Sequence, residues 1–91
     1  MNAVNRLWRI LCWNIRGLNS PEKWPLIQSK IDESLASIIC FQETKRGEID
    51  INFLKKIAPR RFDQFAFVPS EGASGGLLVI WAGNTFSGQV I

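Results

Sequence analysis

The order strand, amphipathic helix, strand over residues 7–42 constrains this chain more than any other feature, because adjacent parallel strands need a crossover of a dozen or more residues and a helix supplies one. From Leu7 to Ile15 the chain runs Leu-Trp-Arg-Ile-Leu-Cys-Trp-Asn-Ile and stops at Arg16-Gly17, as a largely buried strand does. Ser20 then suits a helix cap, Pro21 the first helical position and Glu22 the positive end of the helix dipole. Trp24, Ile27, Ile31 and Leu35 recur at three and four residues and form one inward stripe, while Lys23, Lys30, Asp32 and Glu33 fill the wet faces. Ser37 to Gln42 reads as a second buried strand. Parallel pairing of the two strands places both C-terminal ends on one edge.

The remainder extends an α/β pattern. A shorter helix is expected over Asp50 to Ala58, with Ile51, Leu54 and Ala58 inward, ended by Pro59 and followed by Arg60-Arg61. Phe62 to Val68 alternates so that Phe65 and Phe67 share an aromatic strand face, and Gly76 to Trp81 is a further buried strand after a turn-rich loop, Pro69 to Gly76. A turn at Ala82 to Thr85 leads into a strand beginning at Phe86, which gives the order β-α-β-α-β-β-β within one domain over residues 1–91. A strand in mid-course at Val90-Ile91, with no helix for the second sheet face, is the mark of a domain cut short.

Composition removes several kinds of chemistry. The chain has no histidine, which excludes a Ser-His-Asp triad, a Cys-His pair and a His-ligated zinc within it. The apolar run Leu77 to Ala82 is far below the roughly 20 residues that span a bilayer, and Arg9 interrupts the place of a signal-peptide core. No membrane or secretory role is therefore expected, and the location expected is intracellular. Cys12 and Cys40, 28 positions apart in apolar runs, are expected to be buried free thiols in a reducing compartment. Eleven Lys and Arg against eight Asp and Glu give +3, compatible with a polyanionic partner. Gly72 to Gly76 precedes a strand and lacks the Gly-Lys-Ser/Thr ending of a phosphate loop, so it reads as a turn. The tryptophans read as core, and Lys55-Lys56 with Arg60-Arg61 sit where cations favour a helix C-terminus whether or not DNA is present.

The two strand-end loops carry Asn14, Arg16 and Gly17 on one side and Gln42, Glu43, Thr44 and Lys45 on the other. Open α/β sheets place ligands at such a lip. Glu43 is a hard oxygen ligand suited to Mg²⁺, Asn14 offers an amide donor and acceptor, and Arg16 and Lys45 bring charge for phosphate. Against this stand ordinary readings: a turn asparagine, a solvated strand-end glutamate and decorative surface cations. Spacing alone leaves both open.

Leu11-Cys12-Trp13-Asn14-Ile15-Arg16-Gly17-Leu18-Asn19, then Ile38-Ile39-Cys40-Phe41-Gln42-Glu43-Thr44-Lys45, then Ser74-Gly75-Gly76-Leu77-Leu78-Val79-Ile80-Trp81, in that order and spacing, resemble the exonuclease-endonuclease-phosphatase (DNase I-like) superfamily. The likeness runs from Leu7 to Ile91 and is greatest to the endonuclease domain of plant non-LTR retrotransposons. It implies the N-terminal portion of a DNase I-like α/β sandwich. It also implies that Glu43 is the metal-binding glutamate of the Gln-Glu motif, and that Asn14 is the active-site asparagine ending the first strand. The cofactor implied is Mg²⁺ or Mn²⁺, the substrate is DNA as a phosphodiester, the location is nuclear if the origin is a retroelement, and no protein partner is implied.

Arg16 stands where the apurinic/apyrimidinic enzymes carry Asp, and DNase I-like members can carry Arg there. The family's Asp-x-Asn motif on a later strand, past the third segment above, and its closing Asp-His pair are absent from these residues. General-base catalysis contributes about 10²- to 10⁴-fold, so the isolated fragment is expected to be inert and to hold metal weakly. Two alternatives stay open: a non-catalytic retroelement remnant with weak nucleic-acid binding, and a phosphatase-type member of the same superfamily.

Overall fold

A parallel ladder between β1 (Ile10–Asn14) and β2 (Ile38–Gln42) organises the sheet, with Ile10 opposite Ile38 and Asn14 opposite Gln42. In the computed structural model, residues 9–72 and 75–83 are described. A 3-10 turn (Pro21–Lys23) leads into α1 (Trp24–Ser34), and α2 (Ile51–Ile57), β3 (Gln64–Val68) and β4 (Leu77–Trp81) follow β2. The chain is a small α/β domain whose described strands form a mixed sheet in the order β1-β2-β4-β3. β4 lies antiparallel to both β2 and β3. The element expected from Phe86, and the start of the first strand at Leu7 and Trp8, lie outside the described residues.

Strand alternation sorts the sheet into rows. Leu11, Ile39, Ile80 and Phe65 stand side by side in one row, and Trp13, Phe41, Leu78 and Phe67 in the next. Both rows face the helices, where Ile27 and Ile31 of α1 and Phe53, Leu54 and Ile57 of α2 complete the core. Trp13 and Phe41 rings lie 6.0 Å apart, and Trp24 meets Phe53 edge to face at 5.4 Å, geometries that add to simple area burial. The opposite rows, including Ile10, Cys12, Leu77 and Val68, face outward, and no described element covers them; Ile10 is 59% exposed.

Several sequence expectations are corrected here. Leu35 is not on the inward stripe: it closes α1 in the left-handed conformation (φ 57°) and is 68% exposed, because a helix that must turn sharply into β2 ends in that conformation even without glycine. In α2 the buried face is Phe53, Leu54 and Ile57, and Ile51 is exposed. The Asp50 carboxylate accepts from Phe53 N at 2.8 Å and so fixes the phase in which the short helix starts. Ser20 caps through its carbonyl, which takes Lys23 N at 2.9 Å, and not through its hydroxyl. The thiols are not buried: Cys12 is exposed and Cys40 half-buried, since both occupy the uncovered face. Trp81 shares that face, half-buried.

Glycine relieves a left-handed position that costs other residues about 1–2 kcal/mol, so Leu35→Gly is expected to raise the urea-unfolding free energy by about 0.5–1 kcal/mol. Leu54→Ala in the core is expected to lower it by about 2–5 kcal/mol.

Candidate active site at the β1–β2 rim

The backbone around the two strand tips is fixed by hydrogen bonds that carry the ladder past both strands. Ile15 N donates to Gln42 O (3.0 Å), Gly17 N to Glu43 O (2.7 Å) and Leu18 N to Thr44 O (2.9 Å). On the other side Thr44 N donates to Gly76 O (3.2 Å) and Lys45 N to Gly75 O (2.9 Å). The segment after β2 is thus held between the loop after β1 and the glycine pair before β4. Thr44 is the buried polar residue at this junction, and its Oγ1 also accepts from Arg46 N at 3.4 Å.

Glycine is required at one point of this clasp. Gly76 has φ +95°, and a Cβ built on it would stand 2.3 Å from Thr44 Oγ1 and 3.3 Å from Lys45 N. The Gly75-Gly76 pair therefore reads as more than a turn: it permits the backbone approach that seats Thr44 between two neighbours.

On this frame Asn14 and Glu43 meet. Asn14 ends β1, Glu43 directly follows β2, and Asn14 Nδ2 donates to Glu43 Oε2 at 2.9 Å, with both side chains open to solvent. Arg16 and Lys45 reach the same rim. Both are exposed, and the Lys45 stem passes Gly17, where an added Cβ would lie 3.7 Å from Lys45 Cδ. Among the described residues, neither Arg16 nor Lys45 has a hydrogen-bond or ion-pair partner for its side chain. All four sequence-derived candidates thus lie on one rim, with one direct contact, between Asn14 and Glu43.

Three of the four non-glycine residues with positive φ among the described residues cluster here: Arg16 (56°), Glu43 (58°) and Lys45 (59°). Such conformations are uncommon outside glycine and collect where surrounding structure over-determines them. The same rim binds its supports tightly. Lys23 Nζ donates to Ile15 O (3.2 Å) and Gly17 O (3.1 Å), and Trp24 Nε1 to Leu18 O (2.9 Å). Asn19 Nδ2 donates to Lys45 O (2.9 Å), while Arg46 Nη1 donates to Asn19 Oδ1 (2.9 Å) and stacks 3.7 Å over the Phe53 ring.

These supports were missed in the sequence. Helical periodicity puts Lys23 on a wet face, and its proximity to the start of α1 is the sole signal the sequence offers. Thr44 and Gly76 are 32 positions apart, and nothing local links them. The pairs expected to serve the dipole are partly committed elsewhere: Arg61 Nη1 meets Asp32 Oδ1 at 2.7 Å and its guanidinium lies over Phe62. A separate groove of about 360 Å³, lined by residues such as Gln28, Lys55, Arg60 and Asp63, contains none of the rim residues.

Gly76→Ala is expected to cost roughly 2 kcal/mol or more in urea unfolding, since it combines a clash with a left-handed backbone. Adding Thr44→Ala removes the nearest clashing atom, so the double variant is expected to lose less than the two single losses combined, a coupling that a double-mutant cycle measures.

Compared with known proteins, this sequence matches no family model and no curated protein.

Proposed function

We propose that the chain is the N-terminal portion of a metal-dependent phosphodiesterase domain of the DNase I-like α/β-sandwich kind, a DNA endonuclease of retroelement origin that is inert as the isolated fragment. The observation that carries this reading is the 2.9 Å bond from Asn14 Nδ2 to Glu43 Oε2, formed across the C-terminal ends of two adjacent parallel strands. An acid and an amide from different strands share one solvent-open rim, and two uncommitted cations flank them.

The donor set fits a hard divalent ion. Asn14 uses its Nδ2 on Glu43, which leaves Glu43 Oε1 and Asn14 Oδ1 as oxygen donors. Mg²⁺ is satisfied by one or two protein carboxylates with waters and phosphate oxygens completing its shell. When bound, the ion supplies positive charge to the phosphoryl and leaving oxygens. The described residues contain no group of three or more His, Cys, Asp or Glu side chains that could enclose an ion, so waters and phosphate oxygens would have to complete its shell.

The chain's own residues position and neutralise. Asn14 orients the Glu43 carboxylate toward the rim, and Arg16 and Lys45 offer charge to phosphates on either side of the scissile bond. Without histidine, and with its one Asp-x-Asn triplet, Asp50-Ile51-Asn52, opening α2 instead of lying on a strand, the chain holds a phosphodiester without an imidazole to activate water. The strained backbone at Arg16, Glu43 and Lys45 supports a rim shaped for a ligand.

Paramagnetic Mn²⁺ at millimolar concentration is expected to broaden amide NMR signals of residues 14–16 and 43–45 selectively, and Glu43→Gln is expected to abolish that broadening. Uniform broadening, or broadening that survives the substitution, would place the ion elsewhere. The isolated chain is expected not to nick supercoiled plasmid above background with either ion.

Duplex DNA binding is expected to weaken steeply with salt. Each phosphate contact contributes a slope of about −0.9 in log affinity against log salt, so Arg16→Ala with Lys45→Ala should flatten the slope by roughly 2. An unchanged slope would remove both residues from the interface.

A further inference from the structure

We propose that Cys12 and Cys40 form a reversible dithiol-disulfide site across the β1–β2 seam, a function independent of the phosphodiester reading. The two residues are direct Cα partners in the parallel register. In-register neighbours project to the same side of the sheet, and strands stand about 4.8 Å apart, inside the Cα separation of roughly 4.4–6.8 Å that a disulfide bridges. Burial first, and then the neighbouring Cys12 thiol, push the Cys40 thiol up, which agrees with the pairing of the two positions in the register.

Access is asymmetric. Cys12 is exposed and Cys40 half-buried on the sheet face that no described element covers, so a reagent from solvent meets Cys12 first. Two thiols with no third metal-ligating side chain grouped with them among the described residues do not make a closed zinc site, which needs four ligands. The chemistry that two adjacent thiols can complete is oxidation to a disulfide.

The oxidant is a low-molecular-weight disulfide, RSSR. The Cys12 thiolate attacks one sulfur of RSSR, forming a mixed disulfide and releasing one RS⁻, which takes up the proton Cys12 lost. Cys40 then loses its proton and attacks the Cys12 sulfur; the mixed disulfide breaks and a second RSH leaves. The pair gives up two electrons and two protons, and RSSR is reduced to two RSH. The product staples β1, an edge strand of the described sheet, to β2. The staple sits two residues before Asn14 and three before Glu43. An exposed bond of this kind stays open to thiols, so reduced RSH reverses it.

The test equilibrates the 91-residue chain with graded ratios of oxidised to reduced glutathione, quenches by alkylation, and reads intact mass, non-reducing peptide maps and melting temperature. The expected product is a monomer lighter by about 2 Da with a Cys12–Cys40 linked peptide. Its melting temperature should be higher by at least about 4 °C, and dithiothreitol should reverse the change. Its equilibrium constant of formation in buffer should exceed that in concentrated urea by about tenfold or more, because folding holds the thiols together. Cys12→Ser and Cys40→Ser should each carry a single glutathione adduct instead. Two glutathiones on the wild-type chain, disulfide-linked dimers, or equal equilibrium constants in buffer and urea would overturn the proposal; the last comparison needs no variant to fold.

Discussion

The hydrogen-bond ladder that continues beyond the ends of β1 and β2 holds the rim in place. Strands normally release their chains into loops where pairing stops, yet here Gly17 and Leu18 donate to Glu43 and Thr44, and Thr44 and Lys45 donate to Gly76 and Gly75. Each such bond is worth about 1 kcal/mol net, and a non-glycine residue held left-handed costs about 1–2 kcal/mol. The four bonds, with Asn19 Nδ2 on Lys45 O, are therefore of the size needed to keep Arg16, Glu43 and Lys45 in that conformation. Remove the clasp and the three residues relax toward ordinary geometry, and the meeting of Asn14 with Glu43 goes with them.

That framework also divides the cations into two groups. Lys23 is spent on the Ile15 and Gly17 carbonyls, Arg46 on Asn19, Glu48 O and the Phe53 ring, and Arg61 on Asp32. The first two brace the loops from beneath, and their loss would be felt as loosening of the rim. Arg61 with Asp32 is a solvent-exposed pair and contributes little to stability. Arg16 and Lys45 are the cations that the rim leaves unspent, so the charge available to an anion sits beside the carboxylate.

Much of this was legible in the sequence wherever a period repeats over enough residues. The runs 7–15 and 37–42 read as parallel neighbours because an amphipathic segment of crossover length separates them, and the shared face of Phe65 and Phe67 was readable from alternation, whereas Asp50 reads as part of the helix and is in fact its cap. The phase of α2 was not legible: a seven-residue helix makes only about two turns, too few for apolar spacing to tell Ile51 from Phe53 as the buried position. Leu35 fits the apolar stripe as well as Ile31 does, and only the turn into β2 tells them apart. The contact of Asn14 with Glu43 followed from strand order, whereas the fit of Thr44 against Gly76 depends on β4 entering between β2 and β3, which local patterns do not encode.

The exposure of the cysteines has the same origin. An apolar run predicts a buried strand but does not say how many faces are covered, and here the rows Cys12, Cys40, Val79, Ala66 and Ile10, Ile38, Trp81, Gln64 stand outside the helical layer. With no described element on that face, the β1 side of the seam, Ile10 and Cys12, is exposed and the β2 side, Ile38 and Cys40, half-buried. The rim lies at the end of the same strands, where Asn14 stands on the face that carries Cys12 and meets Glu43 just past β2. Anything seated on the open face would bury Cys12 and block the entry of a disulfide reagent, and because Asn14 stands on that face two residues further along β1, cover that reached the strand tip would meet the rim as well. The thiol pair thus depends on the face alone, whereas the Asn14–Glu43 contact depends both on that face and on the clasp that shapes the strand tips.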